Sequence, residues 1–365
     1  MSTQLVYSVT PRSRLHIADS ANSQSVRRTG KRSIKFTPVT KLSMPLMDYS
    51  ADEPKVSMQS VSVINANLIR RRMRSHIANR IMDSFRKRDL GLSIDMVHLL
   101  TCLATAAAPS AAKNMTNAMK ESDPVGFYAK KQGIEKGECS ANDFRLDYIQ
   151  KMTSDPFVAL FGGGPNIWPS RLVTSDLMPN ISSLNTDNFI NASLVPYFKE
   201  APVDVPAYRL SDLVGSIKND DVLRNPSLVS NKAELEAWFK IENQDTARDK
   251  GDDAEDSDKK MALRNMMAVE VVNPGVPFIG QILVKDNDVD LHTHSVMTGL
   301  ILLAINDMNE TQIGGMIRNG WGNITTSIAF NSSDDDTELH LQHARDYIEN
   351  VTYDDLMEAF GVAIR

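Results

Sequence analysis

The stretch NANLIRRRMRSHIANRIMDSFRKR, at residues 65–88, decides the fold because it carries the clearest helical pattern of the chain. Apolar side chains recur in it every four residues, at Ile69, Met73, Ile77, Ile81 and Phe85. At about 100° per residue these positions sweep an arc of about 160°, which suits one buried helix face. Asn65 is of a residue type that caps helix starts. We therefore predict a helix over residues 65–88 with one face in the core.

The same stretch is rich in arginine. Arg71, Arg72 and Arg86 fall opposite the apolar arc, and Arg70 and Arg74 lie one turn apart at its edge. A helix whose first turns carry three consecutive arginines presents both its dipole and its guanidinium groups to an anion. A helix with a solvated basic face is the plainer interpretation of the same pattern.

More basic residues lie in a polar loop that precedes the helix: Arg12, Arg14, Arg27, Arg28, Lys31 and Arg32. Residues 1–88 contain 17 Lys and Arg against 5 Asp and Glu, a net charge of +12, whereas the remainder carries −18. Such asymmetry is typical of an anion-binding face on an otherwise acidic protein. Because the basic residues are mixed with strand and helix patterns, we favour convergence on nucleic acid over a basic tail without a role.

Outward from the helix, strand and helix patterns alternate. In the first half of the chain we predict strands at 3–10 and 56–64, Ala- and Met-rich helices within 91–152, and an apolar strand at 157–161 that runs into glycines. In the second half we predict two strands on either side of Asn273-Pro274-Gly275, a helix at 292–309, and a glycine-rich loop and strand within 311–330. Amphipathic helices are predicted at the end. This order is the βαββαβ order of a ferredoxin-like or RRM-like sheet opened by insertions. The predicted fold class is therefore α+β.

Composition bounds the remaining possibilities. The chain has 365 residues, of which 42% are hydrophobic and 24% charged, as in ordinary globular proteins. No apolar run approaches the ~18 residues of a membrane span, and the start lacks a secretory apolar core. Two cysteines, Cys102 and Cys139, form neither a disulfide framework nor a metal cluster. We expect a cytoplasmic protein with no membrane partner and no cofactor.

Other candidate sites are weaker. The pairs His292/His294 and His340/His343 lack a convincing third ligand, so an ordinary helix start and a surface helix are favoured over zinc. The glycine loops at 162–164 and 314–322 match no nucleotide-binding pattern, although the second allows close backbone approach to a polyanion. His16 and His76 lie among arginines, where acid–base cleavage of RNA is conceivable and structural packing is the plainer role.

Several runs, in order, resemble the RAMP superfamily of CRISPR proteins. They are VYSVTPRSRLHIADS from residue 6, the arginine helix after VSVI, LFGGGPNIWPSRLVTSDLMP from residue 160, NPGVPFIGQILV from residue 273, and IGGMIRNGWGNI from residue 313. The helical insertion and the large insertion at 210–265 are similar to the backbone subunit of multisubunit effector complexes, most of all the type IV form. Such subunits polymerise along one guide RNA and present it to target nucleic acid.

The resemblance implies a domain plan. The RRM-like palm comprises residues 1–90, 155–210 and 262–365. A helical finger insertion occupies 91–154. A thumb-like β-hairpin insertion with an acidic loop occupies 211–261.

The resemblance also implies partners and residue roles. The partners are a CRISPR guide RNA, complementary target DNA or RNA, copies of this chain and other effector subunits. Residues expected to bind RNA are Arg12, Arg14, His16, Arg27, Arg28, Asn65, Arg70, Arg71, Arg74, Arg171, Arg318 and Asn319. Phe239, Met266 and Met267 are candidates for a wedge between bases, and core packing is their plainer role.

Catalysis is not expected. Type III relatives cut RNA with an aspartate in the loop after the first strand, and Asp19 lies nearby, but its surroundings do not assign it that role. The C-terminal glycine-rich loop also resembles that of single-subunit nucleases that process guide RNA. An endoribonuclease that uses His16 or His76 is therefore the alternative function.

Overall fold

The architecture was examined in a computed structural model. It describes residues 3–18, 26–29, 32–48, 55–101, 155–162, 170–184, 194, 200–217, 233, 266–286, 289–330 and 334–360. The predictions at Asp19 and Phe239, and most of the finger and thumb insertions, lie outside these residues.

Eleven strands and six α-helices are found in the described residues. The strands are β1 (Thr3–Pro11), β2 (Val26–Thr29), β3 (Arg32–Thr37), β4 (Lys41–Asp48), β5 (Lys55–Ser62), β6 (Leu172–Thr174), β7 (Met178–Pro179), β8 (Ser211–Ile217), β9 (Met266–Val272), β10 (Phe278–Val284) and β11 (Ile324–Phe330). The helices are α1 (Ala66–Lys87), α2 (Ile94–Thr101), α3 (Pro156–Phe161), α4 (Leu291–Met308), α5 (Asp334–Asn350) and α6 (Tyr353–Ala359).

The central sheet has the strand order β11-β1-β10-β6, and β7 also pairs with β10. Every neighbouring pair in it is antiparallel. Taken along the chain, the elements β1, α1, β6, β10, α4 and β11 form the predicted βαββαβ unit, with the other elements inserted between them. The α+β, ferredoxin-like palm is therefore confirmed.

Strand alternation directs one face of the central sheet toward the helices. Leu5, Tyr7 and Val9 of β1 join a single buried cluster with the apolar faces of α1 and α4. All five side chains of the predicted arc on α1 are buried, which confirms the helical pattern. Burial of such side chains stabilises the fold by about 1.5–3 kcal/mol each.

The inserted strands build two smaller sheets. One has the order β2-β3-β9-β8, in which β3 and β9 are parallel, and the other is the antiparallel hairpin β4-β5. β8 is the first part of the predicted thumb at 211–261, β9 follows that insertion, and the two strands pair antiparallel along their whole length. The bounds of finger and thumb stay predictions.

Two local predictions were wrong. The run at 157–161 is the helix α3, because Asp155 caps it, Pro156 opens it, and a short fully buried apolar run does not distinguish helix from strand. Part of the polar loop before α1 forms β2 and β3, and β3 gains its order from pairing with β9, which follows more than 200 residues later.

None of the helices in the described ranges is long and apolar enough to cross a membrane.

Candidate nucleic-acid interface

Two loops meet where β1 ends. The first loop, residues 12–18, follows β1, and the glycine-rich loop, residues 311–323, precedes β11. Main-chain hydrogen bonds join them from Arg12 N to Asn323 O (2.7 Å), from Gly322 N to Arg14 O (2.8 Å) and from Gly315 N to His16 O (2.8 Å). Because three bonds span the contact, the position of one loop fixes that of the other.

Glycine is required in the joined loops at two positions. Gly314 has φ +83°, and a Cβ there would lie 2.5 Å from the carbonyl oxygen of His16 in the first loop. Gly322 has φ +85°, and its Cβ would clash with the carbonyl oxygen of Ile313 in the same glycine-rich loop. A side chain at Gly314 would separate the two loops, one at Gly322 would distort the glycine-rich loop, and either would strain the backbone.

The joined loops expose cationic side chains. Arg12 and Arg14 are exposed, while Leu15 and Ile17 of the same loop are buried. Arg318 and Asn319 are exposed on a 3₁₀ turn of the glycine-rich loop. Within the described part of the chain, none of the three guanidinium groups forms an ion pair. We call Arg12, Arg14 and Arg318 the basic rim.

His16 does not belong to that surface. It is 6% exposed, and its Nδ1 lies 2.8 Å from the carbonyl oxygen of Glu270. The Glu270 carboxylate is itself occupied, because it accepts from Ser211 Oγ (2.7 Å) and from the main-chain N–H of Val39 (3.1 Å). His16 therefore packs the first loop against β9, and its side chain lies beneath that loop instead of on the surface with Arg12 and Arg14.

The start of α1 lies next to β7. Ile64, just before the helix, bridges to Leu177, and the following β7 pairs with the beginning of β10. That beginning, Phe278, stands opposite Val9 of β1. β7 and β10 therefore lie between the start of α1 and β1, and the convergence of the arginine helix with the first loop stays a prediction.

The N-terminus of α1 is, however, already occupied. The Asn65 side chain accepts a hydrogen bond from Asn67 N (2.8 Å), and the Asp176 carboxylate accepts one from Ala66 N (2.7 Å). A carboxylate of the chain thus takes the place that the sequence suggested for an external anion. Asn65 acts as a helix cap, and its predicted role in binding RNA is not supported by its geometry.

The arginines of α1 have three different environments. Arg71 is exposed, and Arg70 is half-buried, where loss of solvent lowers the pKa of its guanidinium. Arg74 is 4% exposed and donates to the carbonyl oxygens of Leu99, Leu100 and Gly162.

Arg74 fixes the end of α2 to the region of α3. Its guanidinium carbon also lies 5.4 Å from the centre of the Phe157 ring. A buried cation held in this way cannot reach a phosphate on the surface. Arg74 therefore has a structural role in the fold, with partners that are supplied by distant parts of the chain.

Other predicted residues lie apart from the rim. Arg171 is half-buried just before Leu172, which is aligned through Val284 with Thr3 at the opposite end of the central sheet. Arg27 and Arg28 belong to β2, which is one of the two edge strands of the sheet β2-β3-β9-β8 as far as the structure describes it. Met266 and Met267 begin β9, and only their backbone pairing is described.

The histidines that were weighed as metal ligands meet between α4 and α5. Ser295 Oγ lies 2.7 Å from Nδ1 of His340 and 2.8 Å from Nδ1 of His343. Burial lowers the pKa of His340 and of His294. Among the described residues no group of three or more His, Cys, Asp and Glu side chains is placed to hold a metal ion.

The two histidines that the alternative nuclease could use, His16 or His76, lie in different parts of the fold. His16 is buried beneath the first loop, whereas His76 lies half-buried in the middle of α1, where loss of solvent lowers its pKa. The charges of Arg72 and Arg80 act in the same direction, against the opposing effect of Asp307.

Sequence reasoning missed one exposed pair beside the rim, Tyr208 and Arg209. It belongs to a segment with little pattern, and the only signal in the sequence was an aromatic residue next to an arginine.

Comparisons with known proteins gave matches among solved structures. The chain matches no protein-family model and no curated protein. A solved structure of a "Type IV-B CRISPR Complex" contains a chain that is 12% identical to this one, with a TM-score of 0.42, over 89% of this chain and 90% of that chain.

Proposed function

We propose that this protein is a guide-RNA-binding backbone subunit of a multisubunit CRISPR ribonucleoprotein complex. In this role copies of the chain assemble along one guide RNA, together with other effector subunits, and leave the bases free to pair with target DNA or RNA. The subunit contributes binding and no catalysis. The ordered sequence motifs support the family, and the basic rim supports contact with RNA.

The observation that carries the proposal is the rim itself. Three arginines are exposed on two loops whose backbones are hydrogen-bonded to each other, so the backbone positions that carry them are fixed relative to one another. Guanidinium forks bind phosphate oxygens through two donors and read no base. This suits a protein that must hold a guide of any sequence.

The surrounding charge supports the same partner. Residues 1–88 carry a net charge of +12, whereas the remainder carries −18. Affinity for a phosphate backbone is then expected on the N-terminal segment, while the acidic remainder repels nucleic acid elsewhere.

The test is expression with and without a CRISPR guide RNA. The protein is expected to purify with RNA of defined length in assemblies larger than one protomer. The triple variant R12A/R14A/R318A should bind RNA at least tenfold more weakly near 0.15 M salt. Its plot of log affinity against log salt should be shallower by about 2, because each lost phosphate contact removes about 0.7.

The matched control is R86A, which removes an exposed arginine at the other end of α1. It should bind RNA as the unchanged protein does. A wild-type protein that stays monomeric and free of RNA at low salt would overturn the proposal, as would a folded triple variant with unchanged affinity and salt dependence.

A further inference from the structure

Tyr208 is an aromatic side chain held out into solvent. It is 74% exposed, although its neighbours Ala207 and Leu210 are buried and anchor the 3₁₀ turn Ala207–Arg209. The guanidinium carbon of Arg209, also exposed, lies 5.9 Å from the centre of the Tyr208 ring. This distance is within the range of a cation–π contact, which holds the two planar groups beside each other.

A short bridge of backbone connects this pair to the basic rim. The turn at 273–275 donates from Asn273 N to Leu210 O (2.9 Å) and from Gly275 N to Pro11 O (2.9 Å). The Asn273 side chain also donates to the carbonyl oxygen of Arg209 (3.0 Å). One turn therefore fixes both Arg209 and the residue that precedes Arg12.

The cations available to an anionic partner at the tyrosine are arginines. Arg209 adds a fourth arginine to the three of the rim. Within four residues of Tyr208 along the chain the carboxylates are those of Asp204 and Asp212, and Asp212 accepts a hydrogen bond from the Asn273 side chain (2.9 Å). An exposed aromatic ring beside guanidinium groups is the combination that binds single-stranded nucleic acid, since phosphates meet the cations and a base meets the ring.

We propose that Tyr208 and Arg209 form a stacking platform for one base of a single-stranded RNA whose backbone lies on the basic rim. This inference rests on the proposed function, because it supplies a base contact beside the phosphate contacts. The ring accepts any base, since stacking uses the π face and no hydrogen-bond pattern.

The experiment compares Y208A, Y208F and L213A in RNA-binding titrations at several salt concentrations. Y208A should weaken binding by about 5- to 150-fold, the usual effect of losing one base–aromatic stack. Its salt slope should be unchanged because no phosphate contact is lost. Y208F keeps the ring and should bind like the unchanged protein. L213A removes another exposed apolar side chain, 52% exposed, and should also be neutral.

RNAs with a single abasic nucleotide, moved one position at a time, identify the stacked base. One position should weaken binding to the unchanged protein and leave binding to Y208A unaffected. Ultraviolet crosslinking followed by peptide mass spectrometry should place a crosslink on Tyr208.

The outcomes separate the two proposals. A wild-type protein that binds no RNA removes both. Wild-type binding that Y208A retains in full removes the platform alone. A defect in Y208A that L213A shares, or that appears only as loss of self-association, overturns the platform and assigns this surface to protein contacts.

Discussion

Helix α1 and the loops at the end of β1 both carry arginines, and they use them differently. On α1, Arg74 is turned inward and its donors are consumed by carbonyl oxygens of α2 and by Gly162. On the loops, the backbone makes the internal bonds and leaves Arg12, Arg14 and Arg318 exposed. The difference teaches that the number of arginines in a segment does not measure the charge it offers to a ligand.

The largest expected effect is on the inward arginine. R74A should lower the free energy of unfolding by about 3–5 kcal/mol, because it leaves three buried carbonyl oxygens without their cationic donor. R74K should not restore the loss, since an ammonium group cannot reproduce the guanidinium fork. Urea unfolding followed by circular dichroism measures both variants.

A stable R74A variant that bound RNA poorly would break the comparison, because Arg74 would then behave like a rim arginine. Combining R74A with alanine at Arg70 and Arg71 is uninformative about RNA, since the expected loss of folding would hide any binding effect.

The second prediction concerns Gly322 of the glycine-rich loop, whose main-chain N–H donates to Arg14 O of the first loop. G322A should destabilise the protein by about 2–3 kcal/mol and weaken RNA binding, because its Cβ would press on the Ile313 carbonyl at a positive φ. Thermal unfolding and RNA titration provide the two readouts.

Gly320 is the matched control. It also has a positive φ, +74°, but its Cβ would meet nothing within 4 Å. G320A should therefore cost only the backbone strain, about 1 kcal/mol, and leave RNA binding in place. Equal effects of G320A and G322A would show that strain, rather than the close contact, explains the need for glycine.

The third prediction concerns Asp155, a buried acidic residue that caps α3, the helix against which Arg74 packs. Asp155 caps α3 through Val158 N (2.8 Å) and accepts from the Tyr347 hydroxyl (2.8 Å). Burial raises the pKa of Asp155 to about 6, against the lowering effect of these hydrogen bonds. The folded protein thus binds this proton more tightly than the unfolded chain does.

Stability contributed by that proton is present below the pKa of the unfolded chain and is lost as pH rises through about 6. Relative to D155N, the unchanged protein should therefore gain about 1 kcal/mol between pH 7 and pH 5. Urea unfolding of both proteins at the two pH values measures this. A difference that does not change with pH would mean that the carboxyl group is as acidic in the fold as in the unfolded chain.

The smallest expected effect is on the outward arginine of α1. R71A should change the free energy of unfolding by less than about 0.5 kcal/mol, because the side chain is exposed. If the RNA path extends from the basic rim to the start of α1, the salt slope should fall by about one contact. An unchanged slope would confine the RNA to the loops and sharpen the comparison.

The sequence predicted α1 and the order of strands and helices along the chain, because both rest on local patterns. The four-residue spacing from Ile69 to Phe85 needs only helical geometry, and the alternation of β1 needs only strand geometry. The direction of Arg74 could not be predicted, since its partners Leu99, Leu100 and Gly162 are placed by tertiary packing. At the edge of an apolar arc, the rotamer of the side chain decides whether it lies in the core or in solvent.

The candidate site divides in the same way. The exposure of Arg12, Arg14, Arg318 and Asn319 could be expected because they stand in polar loops, and their contact with RNA stays a prediction. The burial of His16 follows from the apolar residues Leu15 and Ile17 on either side of it, which draw it under the first loop. Tyr208 was missed because its exposure depends on the buried anchors on either side of it.

The central position of β1 also governs how the chain is made. β1 ends at Pro11, and its two partners, β10 and β11, begin only at Phe278 and Ile324. At a synthesis rate of about 5–20 residues per second, the first strand emerges from the ribosome roughly 15–50 s before either partner exists. The apolar face of β1 stays without its strand partners for that time. The central sheet of the palm therefore forms late in synthesis, after the inserted segments have been synthesised.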